Sequence, residues 1–260
     1  MIKIRYLGTC SGTEPMEGMH HCSLVIEAGD ANYWFDAGEN CSHTAYTSGV
    51  DMMKIRAIFI SHPHIDHVGG LANLFACLKK LIRRYKLSLK YGKIDIYISS
   101  PDILHAAKII CNSGESVPLR FDLVEHGLSD GVIYEDETVK ISAVHNNHLK
   151  EDGSNGWHSH SFLIESEGKR IIFSGDVGAP SDLDPLIGDG CDLLIMETGH
   201  HHVVDVCEYA ISHNVKSLRF NHHGREILGD RDAAEVLIKS YSDASGVQIK
   251  LCYDTMVDEV

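Results

Sequence analysis

Short stretches in which apolar and polar residues alternate open the chain and recur along most of its length. Residues 2–7 alternate in this way, and the apolar-rich residues 22–28 and 32–36 lie on either side of the turn residues Gly29 and Asp30. Period-two alternation is typical of strands with one buried face, so these residues predict a strand followed by a hairpin. Alternation and short apolar runs predict further strands at 57–61, 93–99, 119–126, 138–145, 160–166, 169–174, 190–197, 217–221 and 247–253.

Apolar residues at helical spacing lie between many of these strands. Residues 71–84 carry a core-facing stripe made of Leu71, Leu74, Phe75, Leu78 and Ile82. Further helices are predicted at 43–54, 101–111, 203–213 and 232–241. Strands and helices alternate in both halves, without a linker rich in Pro, Gly or Ser. We therefore predict one α/β domain over residues 1–260, with its sheets in a central sandwich.

The charge of the chain limits the classes of partner that we expect it to bind. Of 260 residues, 43% are hydrophobic, which allows a proper core, and the formal net charge is −14. Sequence-independent binding of nucleic acid needs a positive surface, so a stable nucleic-acid complex is not expected. One basic stretch is either the solvated face of a helix or a face that contacts anions or RNA. It comprises Lys79, Lys80, Arg83, Arg84, Lys86, Lys90 and Lys93.

The cysteines and the apolar runs bear on the compartment. The chain has eight cysteines and no CxxC pair, and its start does not resemble a signal peptide. No apolar run approaches the ~20 residues that cross a bilayer. We expect reduced, mostly buried cysteines, a cytoplasmic protein and no contact with membranes. Cys10 and Cys41 lie near loops of the predicted site, so one of them is a candidate for a functional role.

Histidine is the unusual residue, with 18 in the chain. The segment His62-Pro63-His64-Ile65-Asp66-His67 places four potential metal ligands within six residues, directly after a predicted strand and before Gly69-Gly70. One ion cannot easily take all four ligands from so tight a loop, whereas two adjacent ions can. Imidazole suits Zn, Fe or Ni, and the carboxylate also allows Mn. We therefore predict two divalent ions, with zinc first and manganese or iron as alternatives.

This segment resembles the HxHxDH motif of the metallo-β-lactamase superfamily, whose fold is a four-layer αββα sandwich. Other motifs of the superfamily follow in order along nearly the whole chain. Residues 33–38 resemble its early Asp-Gly motif, 174–176 its Gly-Asp motif at a strand end, and 220–223 the segment with its last ligand histidine. The resemblance implies a hydrolase with a dinuclear metal centre and a hydroxide held between the ions.

The resemblance also implies a ligand set. It assigns His62, His64 and His148 to one ion, Asp66, His67 and His222 to the other, and Asp176 as the bridge. For the middle histidine, the predicted strand ends just before His145, and the superfamily's ligand sits a few residues beyond its strand. That favours His148 and leaves His145 as the alternative. Asp36 is expected to orient the ligand loop, unless it is an ordinary turn residue.

Two further histidine groups follow strands. One of His200, His201 and His202 is a candidate proton donor, because imidazole titrates in the required range, and the position before the helix favours His200. Glu197 resembles the acidic residue that hydrogen-bonds such a histidine in several branches of the superfamily. The predicted catalytic residues are Asp66, Glu197 and His200. The alternative is that the three histidines only cap the helix or lie exposed.

Arg225 follows the second group. Its forked donors could pair with a phosphate or form a plain surface ion pair.

The opening phrase, residues 7–15, resembles the branch that contains ribonuclease Z and the cyclic-phosphate phosphodiesterase of phosphonate breakdown. Ribonuclease Z carries a long arm that clamps tRNA, and the 46 residues from Asp176 to His222 are already filled by predicted elements. We therefore favour a phosphodiesterase for a small phosphodiester or short nucleotide, and analogy allows a homodimer. The alternatives are a hydrolase of carboxylic esters, lactones or thioesters, a tRNA 3′-processing endonuclease, and a metal-binding protein without turnover.

Overall fold

Two mixed β-sheets of seven strands each form the centre of the computed structural model, which describes residues 1–112, 119–149 and 157–260. Sheet one runs in the order β14-β1-β2-β3-β4-β5-β6, and sheet two in the order β13-β12-β11-β10-β9-β8-β7. The strands of sheet one are β1 Lys3–Gly8, β2 Ser23–Ala28, β3 Ala31–Phe35, β4 Ile55–Phe59, β5 Lys93–Tyr97, β6 Asp122–His126 and β14 Val257–Glu259. Those of sheet two are β7 Gly131–Glu135, β8 Lys140–His145, β9 His160–Ser166, β10 Lys169–Phe173, β11 Leu193–Glu197, β12 Ser217–Asn221 and β13 Gln248–Leu251.

Helices cover the outer face of each sheet. On sheet one they include α1 Cys41–Thr47, α3 Leu71–Tyr85 and α4 Pro101–Asn112, and on sheet two α5 Asp184–Ile187, α6 Val203–Ser212 and α8 Arg231–Ser245. The short helices α2 Ile65–Val68 and α7 Arg225–Gly229 lie in loops, and 3₁₀ helices cover Met52–Lys54 and Pro180–Leu183. The layers are therefore helix, sheet, sheet and helix, which confirms the predicted four-layer αββα sandwich.

Consecutive apolar residues in the central strands explain why both faces of each sheet are covered. In β3, Tyr33 and Phe35 point into the layer between the sheets, whereas Trp34 packs under the helices of sheet one. In β10, Phe173 enters the central layer and Ile172 packs under the helices of sheet two. Because successive side chains point to opposite faces, strands apolar on both faces need a partner layer on each side.

Several element boundaries differ from the prediction. The helix predicted at 43–54 is instead α1 and a separate 3₁₀ helix, because Gly49 takes a left-handed conformation (φ 85°) and Asp51 caps the second piece by accepting from the amide of Met53. The strand expected at 119–126 begins at Asp122. The strands β7 and β14 and the short helices α2, α5 and α7 were not predicted. β7 is an edge strand with half-buried or exposed residues, so its sequence shows little hydrophobic pattern.

The direction of the strands brings the predicted ligands to one edge of the sandwich. β3, β4, β5 and β6 are mutually parallel in sheet one, and so are β10, β11, β12 and β13 in sheet two. The segments that follow β4, β10 and β12 carry His62, Asp176 and His222. Parallel strands end at the same edge of a sheet, which is where α/β folds build their sites. Within the ranges that the structure describes, no helix combines the length and the apolar character needed to cross a membrane.

Candidate metal centre

The histidine loop changes conformation partway along, and this divides its ligands between two positions. His64 has an extended backbone (φ −63°, ψ 149°) and precedes the single turn of α2. That turn contains Asp66 and His67. The extended part and the helical turn therefore aim their side chains in different directions, as expected for a loop that serves two ions.

The first group of ligand atoms contains His62, His64, His148 and Asp176. Nδ1 of His64 lies 3.0 Å from Nε2 of His62 and 3.2 Å from Nε2 of His148. Oδ2 of Asp176 lies 3.7 Å from Nε2 of both His62 and His148. Ligand atoms about 2.0–2.1 Å from one ion stand about 3.3 Å apart at the corners of a tetrahedron. This group has the dimensions of a single four-ligand site.

The second group contains Asp66, His67, Asp176 and His222. Nε2 of His222 lies 3.1 Å from Oδ2 of Asp66 and 3.2 Å from Nε2 of His67. Nε2 of His67 lies 3.4 Å from Oδ1 of Asp176 and 3.4 Å from Oδ2 of Asp66. These separations again match the tetrahedral spacing, and the two groups share the Asp176 carboxylate. We call the seven residues of both groups the candidate metal centre.

The donor chemistry fits divalent cations. Oδ1 of Asp176 is buried and has no hydrogen-bond partner among the described residues, and the same holds for Nδ1 of His222, only 3.4 Å away. Buried polar atoms without partners are rare because they lose hydration without compensation. Nitrogen and oxygen donors in two sets of four suit zinc, with iron and manganese as alternatives.

The pKa shifts of the two carboxylates and of His62 point the same way. Burial raises the pKa of Asp66, but hydrogen bonds from His222 and His67 outweigh it and hold that pKa well below its usual range. Burial likewise opposes ionisation of Asp176, whose pKa is nevertheless held low by the charges of His222 and His67. Burial lowers the pKa of His62, which keeps its imidazole neutral. Ionised carboxylates and neutral imidazole are the protonation states that bind metal.

Asp36 holds the histidine loop in place, as predicted for it. Its carboxylate accepts hydrogen bonds from the amide (2.7 Å) and hydroxyl (2.8 Å) of Ser61 and lies 2.7 Å from Nδ1 of His67. A carboxylate on the far nitrogen of a ligand histidine fixes its tautomer and orientation. Asp36 itself has φ 54°, an uncommon backbone conformation for a residue with a side chain. The indole of Trp34 helps to stabilise it by donating to the Asp36 carbonyl at 2.8 Å.

Among the three consecutive histidines, His200 is the one directed at the centre. Its Nδ1 lies 3.0 Å from Oε1 of Glu197 and 3.8 Å from Oδ2 of Asp176, and its side chain is 44% exposed. The hydrogen bond to Glu197 raises the pKa of His200. His201 lies 3.1 Å from the carbonyl of Val177, and His202 is largely exposed beside Glu226.

Other candidates from the sequence lie apart from the ligand atoms. His145 pairs with Asp130, with 2.7 Å between Nδ1 and Oδ2, and joins neither group. Arg225 forms an ion pair with Glu14, and both side chains are exposed.

The basic stretch divides in two. In α3, Lys80, Arg83 and Arg84 are exposed, whereas Lys79 is buried and donates to Asn112 at 3.2 Å. Beyond α3, Lys90 and Lys93 pair with Asp30 and Asp95.

The amino-terminal loop makes a close contact that the sequence did not predict. A Cβ atom added to Gly12 would lie 2.8 Å from Oδ2 of Asp66, and one added to Gly199 would lie 2.8 Å from Nδ1 of His222. Both glycines therefore allow main chain to pass directly beside ligand side chains. The only sequence signal was the glycine-rich opening phrase, which does not reveal what Gly12 touches. Cys10 lies in the same loop and is buried, as is Cys41.

Comparison with known proteins places the chain in a family. A family model described as "Anti-Pycsar protein Apyc1" matches residues 2–198. The chain belongs to this family. This Apyc1-family chain is also 33% identical over 148 residues to a ribonuclease Z of Cyanothece sp., an alignment that covers 55% of the chain. The chain spans 43% of the length of that relative.

Solved structures show the same fold. Human tRNase Z, short form (ELAC1), superposes with a TM-score of 0.72 at 20% identity, covering 99% of both chains. The metallo-β-lactamase fold protein YhfI from Bacillus subtilis superposes with a TM-score of 0.75 at 15% identity, covering all of both chains. These comparisons confirm the predicted metallo-β-lactamase fold and its likeness to the ribonuclease Z branch.

The two candidate middle histidines can be separated by metal content. We expect His148→Ala to reduce the bound metal from two equivalents per chain toward one, because its Nε2 belongs to the first group. His145→Ala is the matched control and should keep both equivalents. Metal analysis of protein purified without chelator measures this. Loss of metal from the His145 variant alone would assign the ligand to His145.

The space beside Asp66 can be tested with one methyl group. Gly12→Ala should displace the Asp66 carboxylate and weaken binding of one ion, by about tenfold or more, the size seen when groups around metal ligands are disturbed. The control is Gly127→Ala, where a new Cβ meets no atom within 4 Å. Zinc titration of the metal-free proteins against a competing chelator gives the affinities. Equal affinities for the two variants would show that the contact does not hold Asp66.

Proposed function

We propose that this chain is a metal-dependent hydrolase with a dinuclear centre, and that it cleaves a small phosphodiester or a nucleotide. One observation carries the proposal: the two oxygens of the buried Asp176 carboxylate face two separate groups of ligand atoms. Oδ2 faces His62 and His148, and Oδ1 faces His67 and His222. A carboxylate shared in this way is suited to bridging two ions that act on one phosphate.

The relatives support phosphoester chemistry. Ribonuclease Z of Cyanothece and human tRNase Z bear names that denote cleavage of RNA, whose backbone is a phosphodiester. Two bound ions would supply Lewis acidity, which acidifies water and offsets the negative charge that develops on a phosphate. Side chains of this chain would carry out the other steps of the reaction, and none of them has to act as a nucleophile.

His200 is placed to deliver a proton to the leaving group. Its Nδ1 is engaged by Glu197, which also accepts from the His200 amide at 2.9 Å. Nε2 is then the nitrogen that can exchange a proton with the leaving oxygen. The raised pKa of His200 favours the protonated form that a general acid needs. Burial opposes ionisation of Glu197, yet the hydrogen bond from His200 and the nearby imidazole of His222 lower its pKa to about 2, so it stays charged.

The segment between Asp176 and His222 and the net charge of the chain both favour a small substrate. From Asp176 to His222 the structure describes every residue, and they form a 3₁₀ helix, α5, β11, α6 and β12 with short connections. That stretch contains no extended arm that could clamp tRNA. The net charge of −14 also disfavours a long polyanion.

Cleavage of tRNA 3′ ends is the second candidate function. It is favoured by the likeness to the Cyanothece ribonuclease Z and by the fold shared with human tRNase Z over 99% of both chains. Zinc as the resident metal, a cytoplasmic location, a homodimer and a single domain over 1–260 stay predictions from the sequence.

A substrate panel distinguishes the candidate functions. Zinc- or manganese-loaded protein should hydrolyse bis(p-nitrophenyl) phosphate and at least one 2′,3′- or 3′,5′-cyclic nucleotide, and should lose nearly all of this turnover in Asp176→Ala or His64→Ala. The panel also contains a precursor tRNA, a p-nitrophenyl carboxylic ester, a lactone and a thioester. Turnover confined to the last three would contradict phosphodiesterase activity, and turnover of precursor tRNA alone would establish the second candidate.

The proposed role of His200 predicts a dependence on the leaving group. His200→Ala should slow hydrolysis of a cyclic nucleotide by about a hundredfold or more, because an alkoxide leaves poorly without a proton. It should slow bis(p-nitrophenyl) phosphate much less, since p-nitrophenolate leaves readily. His202→Ala is the control, because that side chain is 82% exposed and lies beside Glu226. Equal losses on both substrates would indicate that His200 does not act as the acid.

A further inference from the structure

Trp157 lies flat against His145, three residues before the ligand candidate His148. Their ring centroids are 4.1 Å apart and their planes differ by 21°. Asp130 holds His145 at its backbone and at its ring, because its carboxylate accepts from the His145 amide at 2.7 Å and lies 2.7 Å from Nδ1 of the imidazole. The half-buried indole is therefore backed by a fixed aromatic plane. Neither Trp157 nor His145 has a part in the reaction proposed above.

The segment that follows Trp157 connects it to the site. The hydroxyl of Ser159 donates to the carbonyl of Asp176 at 3.4 Å, and its carbonyl accepts from the amide of Asn146 at 3.0 Å. The next amide, of His160, donates to the carbonyl of Ser61 at 3.0 Å. Two residues of chain reach at most about 7 Å, so the backbone of Trp157 lies within that distance of Ser159. The segment that begins at Trp157 therefore runs beside the backbone of Asp176 and of Ser61, which precedes the ligand His62.

From this arrangement we infer that Trp157 stacks on the base of a nucleotide whose phosphodiester lies at the candidate metal centre. The inference rests on the proposed function and specifies its substrate class. A planar base presents a π face, and an aromatic side chain binds that face whatever the base. An uncharged contact of this kind suits a protein of net charge −14, which offers little general attraction for phosphates. Trp157 would then be a specificity residue that favours nucleoside esters over simple alkyl esters.

Two substrates with one leaving group test this inference. Thymidine 5′-(p-nitrophenyl phosphate) and methyl p-nitrophenyl phosphate both release p-nitrophenolate, and only the first carries a base. Trp157→Ala should lower the ratio of their kcat/KM values by about tenfold, the size expected for loss of one stacked base. Trp157→Phe keeps an aromatic face and should retain most of the ratio. The control is Tyr85→Ala, at the carboxyl end of α3 with 56% exposure.

The outcomes separate the inference from the function on which it rests. If the wild-type protein cleaves neither ester, the phosphodiesterase proposal fails. If it cleaves both and Trp157→Ala leaves the ratio unchanged, only the stacking inference fails.

Tryptophan fluorescence gives a readout that does not depend on turnover. The chain has two tryptophans, and Trp34 is fully buried. AMP added to the zinc-loaded protein should therefore quench the emission of Trp157, whereas ribose 5-phosphate, which has the phosphate and no base, should not. The quenching should disappear in Trp157→Phe. Absence of quenching by AMP, or equal quenching by ribose 5-phosphate, would overturn the inference.

Discussion

The buried carboxylates at one edge of the sandwich set the main constraint on this structure. Asp66 and Asp176 are almost completely removed from water, and a buried charge is tolerated only where opposite charge or strong donors surround it. Here the carboxylates are surrounded by imidazoles, whose nitrogens can bind either a proton or a divalent cation. The edge of the sandwich is consequently specialised for binding positive charge, although the chain as a whole is strongly acidic.

Hydrogen bonds from residues behind the ligands fix the orientation of the histidine side chains. Asp36 connects the end of β3 to Ser61 and His67, and Glu197 does the same for His200 at the end of β11. Each of these carboxylates ends a buried strand, so rigid elements fix the orientation of histidines that stand in loops. The uncommon backbone of Asp36 costs about 1–3 kcal/mol by general experience, which its surrounding hydrogen bonds offset.

The sequence predicted what depends on local pattern and on motif. The helical stripe of α3 and the strands that bear ligands needed only periodicity. The ligand assignments came from the resemblance, and the structure brings all seven residues together. The contacts that were missed connect distant residues. Gly12 meets Asp66 across 54 positions of sequence, and His145 stacks on Trp157 although nothing in their spacing shows it. Such neighbours follow from how the sheets pack.

The origin of the ligands also determines when in folding a complete site can exist. In each group of four, two ligands follow β4 of sheet one and two are carried by sheet two: His148 and Asp176 in the first group, Asp176 and His222 in the second. A partly folded chain with only one sheet formed can present two ligands of each set, half the number in a structural zinc site. Tight acquisition of metal therefore has to follow the docking of the two sheets. Ions bound at this edge would then lock two halves of the chain together after folding has aligned them.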